Sequence, residues 1–225
     1  MPQLRKTVFA DEEIYHIFNR GIDKRLTFTN KREYERGILT LDYYRFKNPP
    51  LRLSKAFQLG AEERAVFLED LKNKSEKIIE IIGYCLMPNH FHFLLRQKSD
   101  NGISKFVSNF TNSYTRFFNL RNKKRQGPLF QGTFKSVHIE DNDQLLHIHR
   151  YIHINPVVSF VTDLKNLENY EWSSLQEYLE ITDKKICAKE IILDQFSSRK
   201  SHKKFLFDQV DYSRRLKVIE HLLIE

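Results

Sequence analysis

The sequence predicts an α+β protein in which helices pack on a mostly antiparallel sheet. Short β-favouring runs alternate along the chain with longer stripes of helical period. Two of the apolar runs are separated only by Met87-Pro88-Asn89, a connection suited to antiparallel neighbours. Each helical stripe is apolar on one side only, so it needs a second layer to cover it. At 225 residues, 40% hydrophobic and 13% aromatic, the chain can bury a substantial core. The expected organisation is one principal domain over residues 1–180, followed by a helical extension over 181–225.

In chain order, Ile-Tyr-His-Ile-Phe at 14–18 reads as a strand running into Asn19-Arg20-Gly21, where glycine can turn the backbone. Tyr34, Ile38, Leu41 and Tyr44 then follow helical spacing, and Thr29-Asn30 ahead of them offers a side-chain cap. The stretch from Asn48-Pro49-Pro50 to Gly60 reads as a loop, and 62–74 as a helix whose inner face carries Val66, Phe67 and Leu71. Residues 78–86 and the HFHFLL run from 90 form two strands. Apolar positions 103, 106, 107, 110, 114 and 117 mark one face of a long helix. It is broken by RNKKRQGPLFQG at 121–132, a basic, glycine- and proline-containing loop suited to phosphate contact. A short strand over 133–139 precedes a helix over 143–155, which Pro156 is expected to stop because proline disfavours helical geometry in the residue before it. A further helix is expected over 214–223.

Lys and Arg number 37 against 29 Asp and Glu, a formal charge of +8 that favours a polyanionic partner. Cys85 and Cys187 are far apart and outside any paired motif, which argues against a disulfide framework or a zinc ribbon and fits a reducing cytoplasm. No run approaches the roughly 18 apolar residues of a membrane span, and the first residues lack an apolar signal core.

Two features carry chemistry. Successive side chains of a strand point to opposite faces, so His90 and His92 project together while Phe91 and Phe93 enter the other layer. Two adjacent imidazoles can ligate one divalent ion, or merely form hydrogen bonds. The second feature is Tyr151, which lies mid-helix on a polar stripe, one turn before Asn155, whose amide oxygen could complete a metal site. A phenol of pKa about 10 needs a cation or base nearby to become a nucleophile. Tyr114 is the rival, but it falls on an apolar helix face and is expected in the core. His147, His149 and His153 are expected to face DNA or solvent.

Taken together, these blocks resemble the HUH tyrosine transposases and, within them, the REP-associated tyrosine transposases. The histidine pair is His90-Phe91-His92 within MPNHFHFLL, and YIHINPV at 151–157 resembles the nucleophile helix. YHIFNRG at 15–21, GPLFQGTFKS at 127–136 and YEWSSLQEYL at 170–179 look like further blocks of the group, apart from Leu175, where an aromatic residue is expected. The resemblance implies a ferredoxin-like sheet, a magnesium or manganese ion, hairpin-forming single-stranded DNA as substrate, and a transposase that cleaves and rejoins it through a 5′-phosphotyrosine. On that basis Tyr151 is the expected nucleophile, and His90, His92 and Asn155 the expected metal ligands. Arg20, Lys24, Arg25, Arg121, Lys123, Lys124, Arg125 and Lys135 are the expected DNA contacts, in a monomer or homodimer. Three alternatives stand beside this reading: a relative that binds structured DNA or RNA without cutting, a nuclease in which water attacks, and a replication or conjugation relaxase. The last tends to place its tyrosine ahead of the histidine motif, whereas Tyr151 here follows it.

Overall fold

The computed structural model describes residues 8–122, 125–208 and 210. Lys123, Lys124 and the helix expected over 214–223 lie outside the described residues. The core runs β1 (Ile14–Arg20), α1 (Lys31–Tyr44), α2 (Leu53–Ala56), α3 (Ala61–Lys74), β2 (Ile79–Met87), β3 (His90–Gln97), α4 (Gly102–Arg121), β4 (Lys135–His138) and α5 (Asn142–Val158). The four strands lie in the order β2-β3-β1-β4, every neighbouring pair antiparallel. With α2 and α3 counted as an insertion, this is the βαββαβ ferredoxin-like arrangement.

Alternation along the strands sorts side chains into two layers. Phe91 and Phe93 meet Phe106, Phe110 and Tyr114 of α4, together with Tyr34, Ile38 and Leu41 of α1, in the main core. On the other face Cys85, Met87 and Leu94 join Leu145 and Ile152 of α5. Asn30 caps α1 by accepting from the Glu33 amide, and Asp141 caps α5 by accepting from Gln144. Each cap satisfies an amide that the first helical turn leaves unpaired. Gly37 lets α1 approach the sheet, since a Cβ there would stand 2.7 Å from Leu86 Cδ1.

Four expectations are corrected. The 48–60 loop holds the short helix α2, whose Leu53 and Ala56 are buried. In α3 the inward seam is Phe67, Leu68 and Leu71, against Tyr43 and Leu53, while Val66 is exposed. Gly21 does not turn with a positive φ: it stays at φ −60°, and it is Asp23 and Lys24 that take up φ 55° and 57°. Gly21 is needed for space, because a Cβ would meet the Arg25 carbonyl at 2.3 Å. Pro156 does not stop its helix, which continues to Val158. An interior proline costs about 3 kcal/mol, but Ile154, Val157 and Val158 are buried against Leu167, Leu175 and Leu206, which offsets it at about 1.5–3 kcal/mol per buried side chain.

After α5 the chain wraps the outer edge of β2. Tyr170, Ser174 and Tyr178 bond respectively to the Leu86 carbonyl, the Tyr84 amide and the Ile82 carbonyl. Cys187 then pairs in parallel with Ile81, and the Ala188 amide donates to the Ile81 carbonyl. Two further helices follow, α6 (Leu175–Tyr178) and α7 (Glu190–Leu193), before α8 (Arg199–Phe207) packs on α5. Leu175 fits this packing, fully buried beside Ile154 and Val157. Among the described residues no helix is long and apolar enough to cross a membrane.

Candidate active site

The site sits where β1, β3, β4 and α5 meet on the face opposite α1 and α4. Register places Phe18 beside His92 and Arg20 beside His90, while β4 brings Lys135 beside Phe18. A cleft of about 560 Å³ opens there, lined by His90, His92, Tyr151, Asn155, Arg20, Lys24 and Lys135 among others. No acidic side chain is among its lining residues. Three cations and no carboxylate in a concave wall favour an anionic ligand.

The histidine rings stand 5.0 Å apart and nearly perpendicular. Each has its Nδ1 against a neighbour: His90 Nδ1 lies 2.6 Å from Asn89 Oδ1, and His92 Nδ1 lies 2.9 Å from His16 Nε2. An amide oxygen can only accept, so His90 Nδ1 carries the proton and Nε2 the lone pair. For His92 the tautomer depends on His16, a buried imidazole whose burial lowers its pKa to about 4 and keeps it neutral near pH 7. A neutral His16 can accept from His92 Nδ1–H, which leaves His92 Nε2 as the lone-pair nitrogen too. Such partners on the far nitrogen are the usual way in which metal-binding imidazoles are oriented.

Asn155 is buried, with Nδ2 at 3.4 Å from His92 Nε2 and Oδ1 accepting from Ser159 Oγ at 2.8 Å. The Ser159 hydroxyl can donate or accept, so the amide is satisfied in either orientation, and the flipped one turns its oxygen toward His92. The residues therefore fit a divalent ion held by two neutral nitrogens and one amide oxygen. Among the described residues no group of three or more His, Cys, Asp and Glu side chains is arranged so that it could hold a metal ion by itself, and water or substrate oxygens would complete the coordination of an ion here.

Tyr151 is 38% exposed at the cleft wall, its ring centroid 5.4 Å from that of His92 and edge-on to it. Its rival, Tyr114, is fully buried and donates to the Thr27 carbonyl at 2.6 Å, with burial raising its pKa far above that of an ordinary phenol. Of the expected DNA contacts, Arg20, Lys24 and Lys135 line the cleft. Arg25 does not: it bonds the Ile22 carbonyl and pairs with Asp23. Arg125 is held by Asn119 and by the Gly127 and Pro128 carbonyls, so its first role is to fix its own loop. Arg121 lies over Phe117 at the end of α4, in the other layer.

The helical histidines are corrected as well. His149 and His153 face neither DNA nor solvent: they are fully buried with His202 of α8. His149 Nε2 and His202 Nε2 are 3.0 Å apart, and His153 bonds the His149 carbonyl and Ser174 Oγ. Helical alternation alone could not show this, because the covering surface comes from Tyr178 and His202, far along the chain. His147 is exposed. Sequence reasoning also passed over His16 and Phe160. His16 was legible as the strand neighbour of Phe18 and Arg20 at period two. Phe160, 56% exposed on the cleft rim with φ 56°, carried no such signal.

Fold and site together define a ferredoxin-like domain that presents two imidazoles of one strand beside a helical tyrosine. Residues 61–155 match the family model described as "Transposase IS200 like", a span that includes the histidine pair, Tyr151 and Asn155. That likeness covers 95 of the 225 residues of this chain. Its fold is similar to that of a REP-associated tyrosine transposase solved bound to a REP hairpin, with TM-score 0.53 and 13% identity over 84% of this chain and 98% of that one. No curated protein matches the chain.

Proposed function

We propose that the protein is a metal-dependent transposase that cuts and rejoins single-stranded DNA at hairpin-containing repeats. The observation that carries this is the meeting of Tyr151, His90, His92 and Asn155 in one cleft lined by cations and by no acid. The hairpin preference is taken from the REP-associated enzyme of the same fold.

Tyr151 Oη attacks the scissile phosphorus in line, forming the phosphotyrosine bond as the bond to the 3′ oxygen breaks. The reverse attack by a 3′ hydroxyl restores the phosphodiester and frees the tyrosine, so no external energy source is required. A magnesium or manganese ion on His90, His92 and Asn155 would supply Lewis-acid stabilisation of the charge that builds on the phosphate. Imidazole nitrogens with an amide oxygen suit manganese better than magnesium. Arg20, Lys24 and Lys135 hold neighbouring phosphates, and Phe160 offers a face for an unpaired base. His16 acts through His92, fixing which of its nitrogens faces the cleft.

The test is incubation with manganese and a 5′- or 3′-labelled hairpin single strand, followed by a denaturing gel. Wild type forms a covalent adduct with the fragment downstream of the cut, through its 5′ phosphate, so that the 3′ label stays with the protein and the 5′ label is released; Tyr151→Phe forms none while binding the strand nearly as well. An adduct persisting in Tyr151→Phe would overturn the nucleophile. Cleavage by wild type without any adduct would mean that water attacks instead.

A further inference from the structure

A concavity larger than the histidine cleft lies elsewhere. A cleft of about 690 Å³ lies between α1, α2 and α4, in the layer opposite the histidine pair. Its lining includes Arg32, Arg36, Arg52 and Arg116 against one acid, Glu35. Glu35 pairs with Lys31, 3.9 Å away. Among the described residues none of these four arginines has an ion pair or a side-chain hydrogen bond to the protein, and Arg36 Nε is buried with no partner.

The cleft is built around a column of alternating cations and rings drawn from helices far apart in sequence. The Arg64 guanidinium lies 5.4 Å from the Phe57 centroid, and Arg36 is 5.2 Å from Phe57 and 5.3 Å from Phe117. Arg121 closes the column at 5.8 Å from Phe117. Contacts of this length are attractive and hold a guanidinium in place. A guanidinium fixed between rings keeps its charge and donors while losing part of its hydration, and no carboxylate offsets that loss here. A phosphodiester oxygen would offset it, because arginine matches phosphate in both charge and geometry. The rim is apolar as well as basic: Leu120 is 72% exposed and Phe57 41%. A duplex buries its base faces and has no use for such surface, whereas a single strand can lay them on it.

We infer that this arginine-and-aromatic cleft is a second DNA station that holds the unpaired strand leading to or from the cleavage site. It rests on the reading above only for the choice of DNA among polyanions. Phosphates lie against Arg32, Arg36 and Arg116, and bases pack on Leu120 and Phe57. A strand engaged in both layers of the domain is held on either side of the sheet, which limits its slippage while the phosphotyrosine link exists.

The test is fluorescence anisotropy of a labelled 15-nucleotide oligothymidine strand on the full chain, with EDTA present and the salt concentration varied. Arg32→Glu with Arg116→Glu, both at exposed positions, is expected to weaken binding at least about tenfold and to flatten the log–log salt slope by about 1.4, at roughly 0.7 per lost phosphate contact. Leu120→Ala is expected to narrow the preference for the single strand over the matched duplex. Unchanged affinity and slope in the double variant overturn the station, and equal losses on strand and duplex overturn its single-strand character. Tighter binding of the matching oligouridine RNA overturns the assignment to DNA. Chelated metal keeps cleavage out of this measurement, so an enzyme that forms no adduct leaves the result standing, and a strand-binding failure here leaves Tyr151 chemistry intact.

Discussion

Two groups of three histidines touch α5, and their surroundings divide them. His90 and His92 line a basic cleft with the buried His16 behind them, and Nδ1 of each of the two is held by a neighbour. His149, His153 and His202 lie on the far side of the same helix, sealed from water and spent on one another and on Ser174. What separates a candidate ligand from a structural histidine is therefore not its type or spacing. It is whether a lone pair faces a space that substrate can reach.

That contrast can be broken most sharply at the cleft. His90→Ala with His92→Ala is expected to lower manganese-stimulated cleavage by at least about a thousandfold, a barrier change of about 4 kcal/mol, with the melting temperature little changed. Undiminished nicking, measured on labelled strands in manganese, would remove the metal from these residues. A smaller effect is expected one step back. His16→Phe removes the ring nitrogen that faces His92 Nδ1 and should weaken metal dependence 10- to 100-fold, the usual range for an outer partner. His16→Gln supplies an amide oxygen and should recover part of it. A manganese titration of cleavage rate reads this, since a purely structural role would lower kcat without moving the manganese midpoint.

The buried group answers to acid instead. His153 is held down to about 3 and His149 well below its ordinary value, burial being the first cause in each. The folded state keeps these rings neutral, whereas unfolded histidines take up protons near pH 6.5. Stability from this source is whole above about pH 6.5 and is lost as pH falls toward 3, at about 1.4 kcal/mol per pH unit for each histidine. Urea melts between pH 7 and 4.5 should show this fall. His149→Leu with His202→Leu is expected to flatten it, and removes two ring nitrogens that have no partner. A melt whose pH dependence is unchanged in that variant would place the acid sensitivity elsewhere.

The histidine pair, the helix that carries Tyr151 and the alternation of strands and helices were legible because each is local: period two for 90–97, period 3.6 for 102–121, a cap at Asn30. The order of the strands entered only through the resemblance to a family, since register joins residues such as Phe18 and His92 that no local pattern links. Burial of His149 and His153 depended on α8, and the continuation past Pro156 on packing that overrides a backbone preference. The basic loop was legible in composition but not in use: Arg125 secures its own turn, whereas Arg20, Lys24 and Lys135 converge from three places. Arg36 and its rings left no trace in the sequence, because the column is assembled from four helical segments.

The strap formed by Ser173 and residues 186–188 along β2 bears on where the domain can be cut. It occupies one border of the sheet, so the exposed border is the four-residue β4, guarded by Lys135 at its start. Shortening the chain at residue 180 would strip half of that strap and bare the Ile81 carbonyl, handing a second copy a hydrophobic strand to pair with. Such a truncation should precipitate or self-associate, which makes the early part of the extension a guard against aggregation rather than a dispensable tail.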